Sequence, residues 1–73
     1  MARLEIGDKI KIDGQIGIEA LEPGFKYRVD GFKTFKGVKV YVLESLTIDG
    51  DYSKVPVKEL DDVMSDNLGV EAL

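Results

Sequence analysis

In several short runs between Leu4 and Val57 the chain alternates apolar and polar positions with period two, the mark of strands with one buried face. Leu4 and Ile6, then Ile10 and Ile12, alternate with charged or small residues, and Gly7-Asp8 marks a turn or bulge between the pairs. A first strand is therefore predicted from about Lys9, ending at the turn residues Asp13-Gly14. Residues 15–24 read as a long loop, and its apolar Ile16, Ile18, Ala20 and Leu21 predict that it folds back over the core. Glu22-Pro23-Gly24-Phe25 has the signature of a type II turn: Pro23 sets φ near −65° and Gly24 allows the positive φ that follows.

Residues 25–48 form the central element, two runs rich in β-branched and aromatic residues around Lys36-Gly37, which is a hairpin signal. Tyr27 and Val29 point one way, and Phe32 breaks their parity, so a bulge at Gly31 is expected. On the returning strand Val38, Val40, Val42, Leu46 and Ile48 share a face, opposite Lys39, Tyr41, Leu43, Ser45 and Thr47. Asp49-Gly50 predicts a tight turn into a short strand over residues 52–57, which Pro56 confines to a sheet edge or ends. The period then changes. Leu60, Val63, Met64 and Leu68 recur at helical spacing, which predicts a short helix or 3₁₀ turn over residues 58–67 with Gly69 as its stop. Residues 69–73 either fray or add a strand to an open edge.

These elements describe one all-β domain over residues 1–73, with its core between about residues 4 and 68. The predicted core is Ile10, Ile12, Tyr27, Val29, Val40, Val42, Leu46, Val55 and Leu60. A domain of 73 residues buries only about 60% of its unfolded surface. Without cysteine, no disulfide reinforces it, and nothing points to an oxidising compartment. No apolar run approaches the ~18 residues of a membrane span, and acids stand where a signal peptide has its apolar stretch. The expected setting is cytoplasmic, with no membrane partner.

Charge changes the picture further. The net −4 divides into −2 over residues 1–25, +4 over 26–41 and −6 over 42–73. An acidic whole argues against tight DNA binding, which rests on phosphate contacts, whereas a basic hairpin keeps nucleic acid in play. Catalysis is not expected. His and Cys are absent, only Ser45 and Ser53 offer seryl groups, and Asp61, Asp62 and Asp66 read as a solvated helix face. Asp49-Gly50-Asp51 lacks the long ligand series of a calcium loop, and the glycines form no phosphate loop, so neither a metal nor a cofactor is expected.

The order of signals resembles the SH3-like small barrels. Lys9–Ile12, after Ile6-Gly7-Asp8, looks like their first strand, and residues 13–24 look like the long loop after it. Pro23-Gly24-Phe25-Lys26-Tyr27-Arg28-Val29 is similar to the Gly-x-x-Tyr-x-Val second strand of small phage and bacterial members. Val55-Pro56-Val57-Lys58-Glu59-Leu60 looks like their final strand and 3₁₀ turn. The resemblance implies a small barrel of four to five strands with a short C-terminal helix or 3₁₀ turn. The Ala-Leu-Tyr-Asp motif and paired tryptophans of peptide-binding SH3 domains are missing, so proline-rich ligands are not implied.

The functional expectation is a non-catalytic protein-interaction module, a small phage or bacterial accessory or regulatory factor by resemblance, with an unidentified protein partner. The alternative is single-stranded nucleic acid on the hairpin, with rings stacking on bases and cations following phosphates. The candidate surface is Lys26, Arg28, Phe32, Lys33, Phe35, Lys36, Lys39 and Tyr41, with Phe32, Phe35 and Tyr41 left as the candidates for exposure. The pattern leaves oligomeric state open.

Overall fold

In the computed structural model of the chain, residues 3–14, 16–66 and 69–73 are described. Strands β1 (Lys9–Ile12), β2 (Lys26–Phe35), β3 (Val38–Ser45), β4 (Tyr52–Pro56) and β5 (Val70–Ala72) form one antiparallel sheet in the order β4-β3-β2-β1-β5. A helix, α1 (Val57–Ser65), lies between β4 and β5 in sequence. The architecture is all-β with a short helix, as the pattern predicts. It is not a barrel: the edge strands β4 and β5 do not meet, and the sheet stays open. The C-terminal residues do add a strand, with Ile12 opposite Val70 and Ile10 opposite Ala72.

Local chemistry accounts for the turns. Gly24 takes φ +84°, and the Phe25 N–H donates to the Glu22 carbonyl across the type II turn. At the hairpin tip Lys36 and Gly37 both have positive φ, the pairing that a two-residue type I′ turn requires. Register shifts between Val29 and Gly31, where the parity break in β2 places a bulge. The β3–β4 connection is longer than predicted, because β3 ends at Ser45. The Ser45 hydroxyl accepts the N–H groups of Thr47 and Ile48, and its own N–H donates to the Asp51 carbonyl, so the chain turns away there.

One face of the sheet carries the core: Ile10, Ile12, Tyr27, Val29, Tyr41, Leu43 and Val55. It is covered by Leu4 from the N-terminal segment, Ile18 and Leu21 from the long loop, and Val57 and Leu60 from α1. Helix α1 forms because Val57, Leu60, Val63 and Met64 share a stripe, two of them buried and two half-buried. It ends at Asp66, whose N–H donates to the Asp62 carbonyl. Leu68, and the predicted extension of the helix to residue 67, fall outside the described residues.

Two members of the predicted core, Leu46 and Val42, are corrected, while Val40 is buried as predicted but from the other side of the sheet. Leu46 lies beyond the end of β3 and is 43% exposed. Val42 is half-buried on the opposite face of the sheet, and Val40, although buried, stands on that same outer face opposite Lys33 and Pro56. The inward residues of β3 are Tyr41 and Leu43, both fully buried, so the strand's parity is the reverse of the prediction. The pairing of inward Val29 with Leu43 and of Phe32 with Tyr41 sets it.

Candidate functional site

Register defines the face that points away from the core. Directly paired residues project to the same side of a sheet. Lys11 pairs with Lys26, Lys9 with Arg28, Arg28 with Glu44, and Glu44 with Tyr52. Val42 pairs with Gly31 and Lys54, Val40 with Lys33 and Pro56, and Val38 with Phe35. This outer face therefore combines six cations, and the acids Glu44 and Glu71, the latter opposite Lys11, with an apolar stripe of Phe35, Val38, Val40 and Val42. The residues that cover the core from the helix and the long loop lie on the other side; on this face Phe35 and Val38 are exposed, Val42 is half-buried and Val40 is buried.

The face divides the eight candidate residues. Lys26, Arg28, Lys33 and Phe35 stand on it, and Lys36 occupies the turn at its tip. Phe32, Lys39 and Tyr41 belong to the other side. Tyr41 is 0% exposed, which removes it from the candidates for exposure and from the surface. Phe32 is half-buried, its ring 5.3 Å from that of Tyr41 and capped by Lys39 Nζ at 4.8 Å from the ring centroid. Only Phe35, at 63%, is exposed as expected, with Lys36 Nζ 5.5 Å from its ring centroid.

Sequence reasoning missed Lys9, Lys11, Lys54 and Tyr52, because they come from β1 and β4 and join the hairpin only through strand pairing. Tyr52 is 54% exposed. It lies at the opposite corner from Phe35, six positions along β3 and therefore roughly 20 Å away. The two exposed rings do not form a cluster.

Charges on the face are unevenly compensated. Arg28 donates to Glu44 Oε2 at 2.7 Å across β2 and β3, and this hydrogen bond holds the guanidinium above its ordinary pKa. Lys11 approaches Asp13 at 3.7 Å. Among the described residues Lys9, Lys26, Lys33 and Lys54 make no ion pair.

Of Asp61, Asp62 and Asp66, which the sequence places on a solvated helix face, Asp61 has structural partners. Asp61 accepts from the Tyr41 hydroxyl at 2.6 Å and from the Arg3 N–H at 3.3 Å. Burial first, and the Asp61 hydrogen bond second, push the Tyr41 hydroxyl up to about 12. Asp62 and Asp66 face solvent on α1. Among the described residues no three acidic side chains gather as a metal site, and no helix is long and apolar enough to cross a membrane.

Comparison with known protein families, with characterised proteins and with solved structures finds no match to this chain.

Proposed function

We propose that the chain is a non-catalytic protein-interaction module that docks a partner on the outer face of its sheet. The carrying observation is the anatomy of that face: an apolar stripe of exposed Phe35 and Val38 and half-buried Val42, bordered by Lys9, Lys26, Arg28, Lys33 and Lys54. An apolar centre with a polar rim is the ordinary anatomy of a protein interface. The rim's charge selects a partner that is acidic around an apolar contact. The separation of Phe35 from Tyr52 favours protein over single-stranded nucleic acid, whose bases need neighbouring rings to stack on. The order of strand, long loop, three-strand meander, helix and closing strand supports an SH3-like ancestry for the fold, here open at its edges. A phage or bacterial cytoplasmic regulatory role fits that likeness.

The test compares variants of two surfaces. Val42→Asp puts a carboxylate on the stripe without entering the core, whereas Glu59→Lys alters α1. Binding of an acidic protein by the wild type and by Glu59→Lys, with loss in Val42→Asp, supports the reading. Binding that survives Val42→Asp contradicts it. Oligonucleotide binding weakened by roughly 1–3 kcal/mol in Phe35→Ala would assign the face to nucleic acid instead.

A further inference from the structure

We propose that a second copy of this chain pairs antiparallel with the free edge of β2, joining two sheets across a twofold axis at Lys33, whatever the outer face binds. β2 outruns its neighbour. β1 pairs with residues 26–28, and the last bonds on that side join Val29 to Gly7 and Asp8. The Asp8 N–H donates to the Glu5 carbonyl, and the chain turns back toward α1, where the Arg3 N–H meets Asp61. From Gly31 to Phe35, β2 is therefore paired with β3 alone among the described residues.

The bulge decides which backbone groups this edge offers. Before it, Val29 turns its N–H and carbonyl toward β1. Beyond it the alternation is fixed from both ends. The Leu46 N–H donates to the Lys26 carbonyl, and the two-residue turn makes Phe35 and Val38 a hydrogen-bonded pair. Counting inward from either, Gly31, Lys33 and Phe35 bond to β3, while Phe32 and Thr34 point their N–H and carbonyl groups outward. The other two edges are less suited: β5 has three residues, and β4 ends at Pro56, which has no N–H to give.

This edge is complementary to itself. With Lys33 on the axis, Phe32 lies opposite the second copy's Thr34, and Thr34 opposite its Phe32, each pair exchanging both of its backbone bonds. The same register seats each exposed Phe35 beside the other copy's Gly31, where an added Cβ would touch nothing within 4 Å. It also brings each Lys36 to the level of the other copy's Asp30; both are exposed and make no ion pair among the described residues. The neighbouring Arg28 is held by Glu44. Glu5 and Asp8 stand at the same end of the edge, against Lys9. Sliding one copy by two residues loses the match. One way sets Phe35 against Val29, whose bonds Gly7 and Asp8 already take, and the other sets Gly31 against the Gly37 turn. Lys33 and its copy stand directly opposite and repel. The contact is short and far below the area of a stable interface, so the dimer is weak and this one position tunes it.

The experiment is a dilution series of the full chain up to about 1 mM, followed by amide NMR and by sedimentation equilibrium. The expected result is concentration-dependent shifts centred on residues 30–36, with the mean mass rising toward the dimer. Thr34→Pro removes an outward N–H but no bond to β3, so it should abolish both changes while the diluted protein keeps its fold. Lys33→Glu alone repels its copy as the wild type does. Its equimolar mixture with wild type sets Lys opposite Glu and should pair roughly two- to five-fold more tightly than either protein alone, beyond the statistical gain. Lys58→Glu makes the same charge change on α1 and should give no such gain. The mixtures decide even where Thr34→Pro does not fold. Spectra independent of concentration, shifts centred on β4 or β5, or equal gains from the two mixtures overturn the twofold pairing. The protein-docking reading is judged separately, by Val42→Asp.

Discussion

The Tyr41 hydroxyl donates a 2.6 Å hydrogen bond to Asp61 Oδ1 and accepts the Leu4 N–H at 3.2 Å. One phenol thus ties the central strand β3 to helix α1 and to the N-terminal segment. Tyr41→Phe leaves the Leu4 N–H without its acceptor and Asp61 with only the longer bond from the Arg3 N–H. The expected loss is about 1–3 kcal/mol, read from the urea midpoint, with the sheet retained. An unchanged midpoint would show that the three elements are held by packing alone.

The same contact sets an alkaline limit. The Tyr41 hydroxyl is pushed up to about 12, against about 10 for an unfolded tyrosine. A group raised on folding gives its full stabilisation below the unfolded value and loses it as pH rises through the folded one. Stability should therefore fall between about pH 10 and 12, by an amount on the order of 2–3 kcal/mol. Tyr41→Phe should show a flatter profile over that window. Equal slopes for the two proteins would contradict the assignment.

Reversed parity in β3 predicts unequal costs along one strand. Leu43→Ala should lose about 2–5 kcal/mol, because Leu43 is fully buried in the core. Val42→Ala and Leu46→Ala, on the outer face and in the exposed connection, should each lose less than about 1 kcal/mol. Denaturation midpoints decide. A larger loss at Val42 than at Leu43 would restore the opposite parity.

Lys36 holds φ +50° at the first position of the hairpin turn, a conformation that suits Gly or Asn better. Lys36→Gly should stabilise the protein by roughly 0.5–1 kcal/mol. A lower melting temperature would mean that the Lys36 side chain holds the tip together.

β1, β2, the turns before and after β2, and the helix were legible because each had a local cause: alternation in β1 and β2, Pro23-Gly24, Lys36-Gly37, the parity break before Phe32, and the helical spacing from Leu60; the β3–β4 connection and the pairing of β5 were not. The facing of β3 was not legible. Val38, Val40 and Val42 are as apolar as Tyr41 and Leu43, so period two fits either orientation. Pairing with β2 beyond its bulge decides between them, and that is a non-local fact. The same holds for the surface. Lys26, Arg28, Lys33 and Phe35 were found from the hairpin alone, whereas Lys9, Lys11, Lys54 and Tyr52 join them only once β1 and β4 pair. Closure of the barrel was likewise outside the reach of local signals, since it depends on whether the two edge strands meet.

The most direct measurement of the docking role is photo-crosslinking from two positions of the full chain in cells that express it. Val42→p-benzoylphenylalanine places the probe on the apolar stripe, and Glu59→p-benzoylphenylalanine places it on the outer side of α1. The account predicts a discrete adduct to an acidic protein from position 42 and none from position 59. An adduct only from position 59, or a nucleic-acid adduct from position 42, would contradict it.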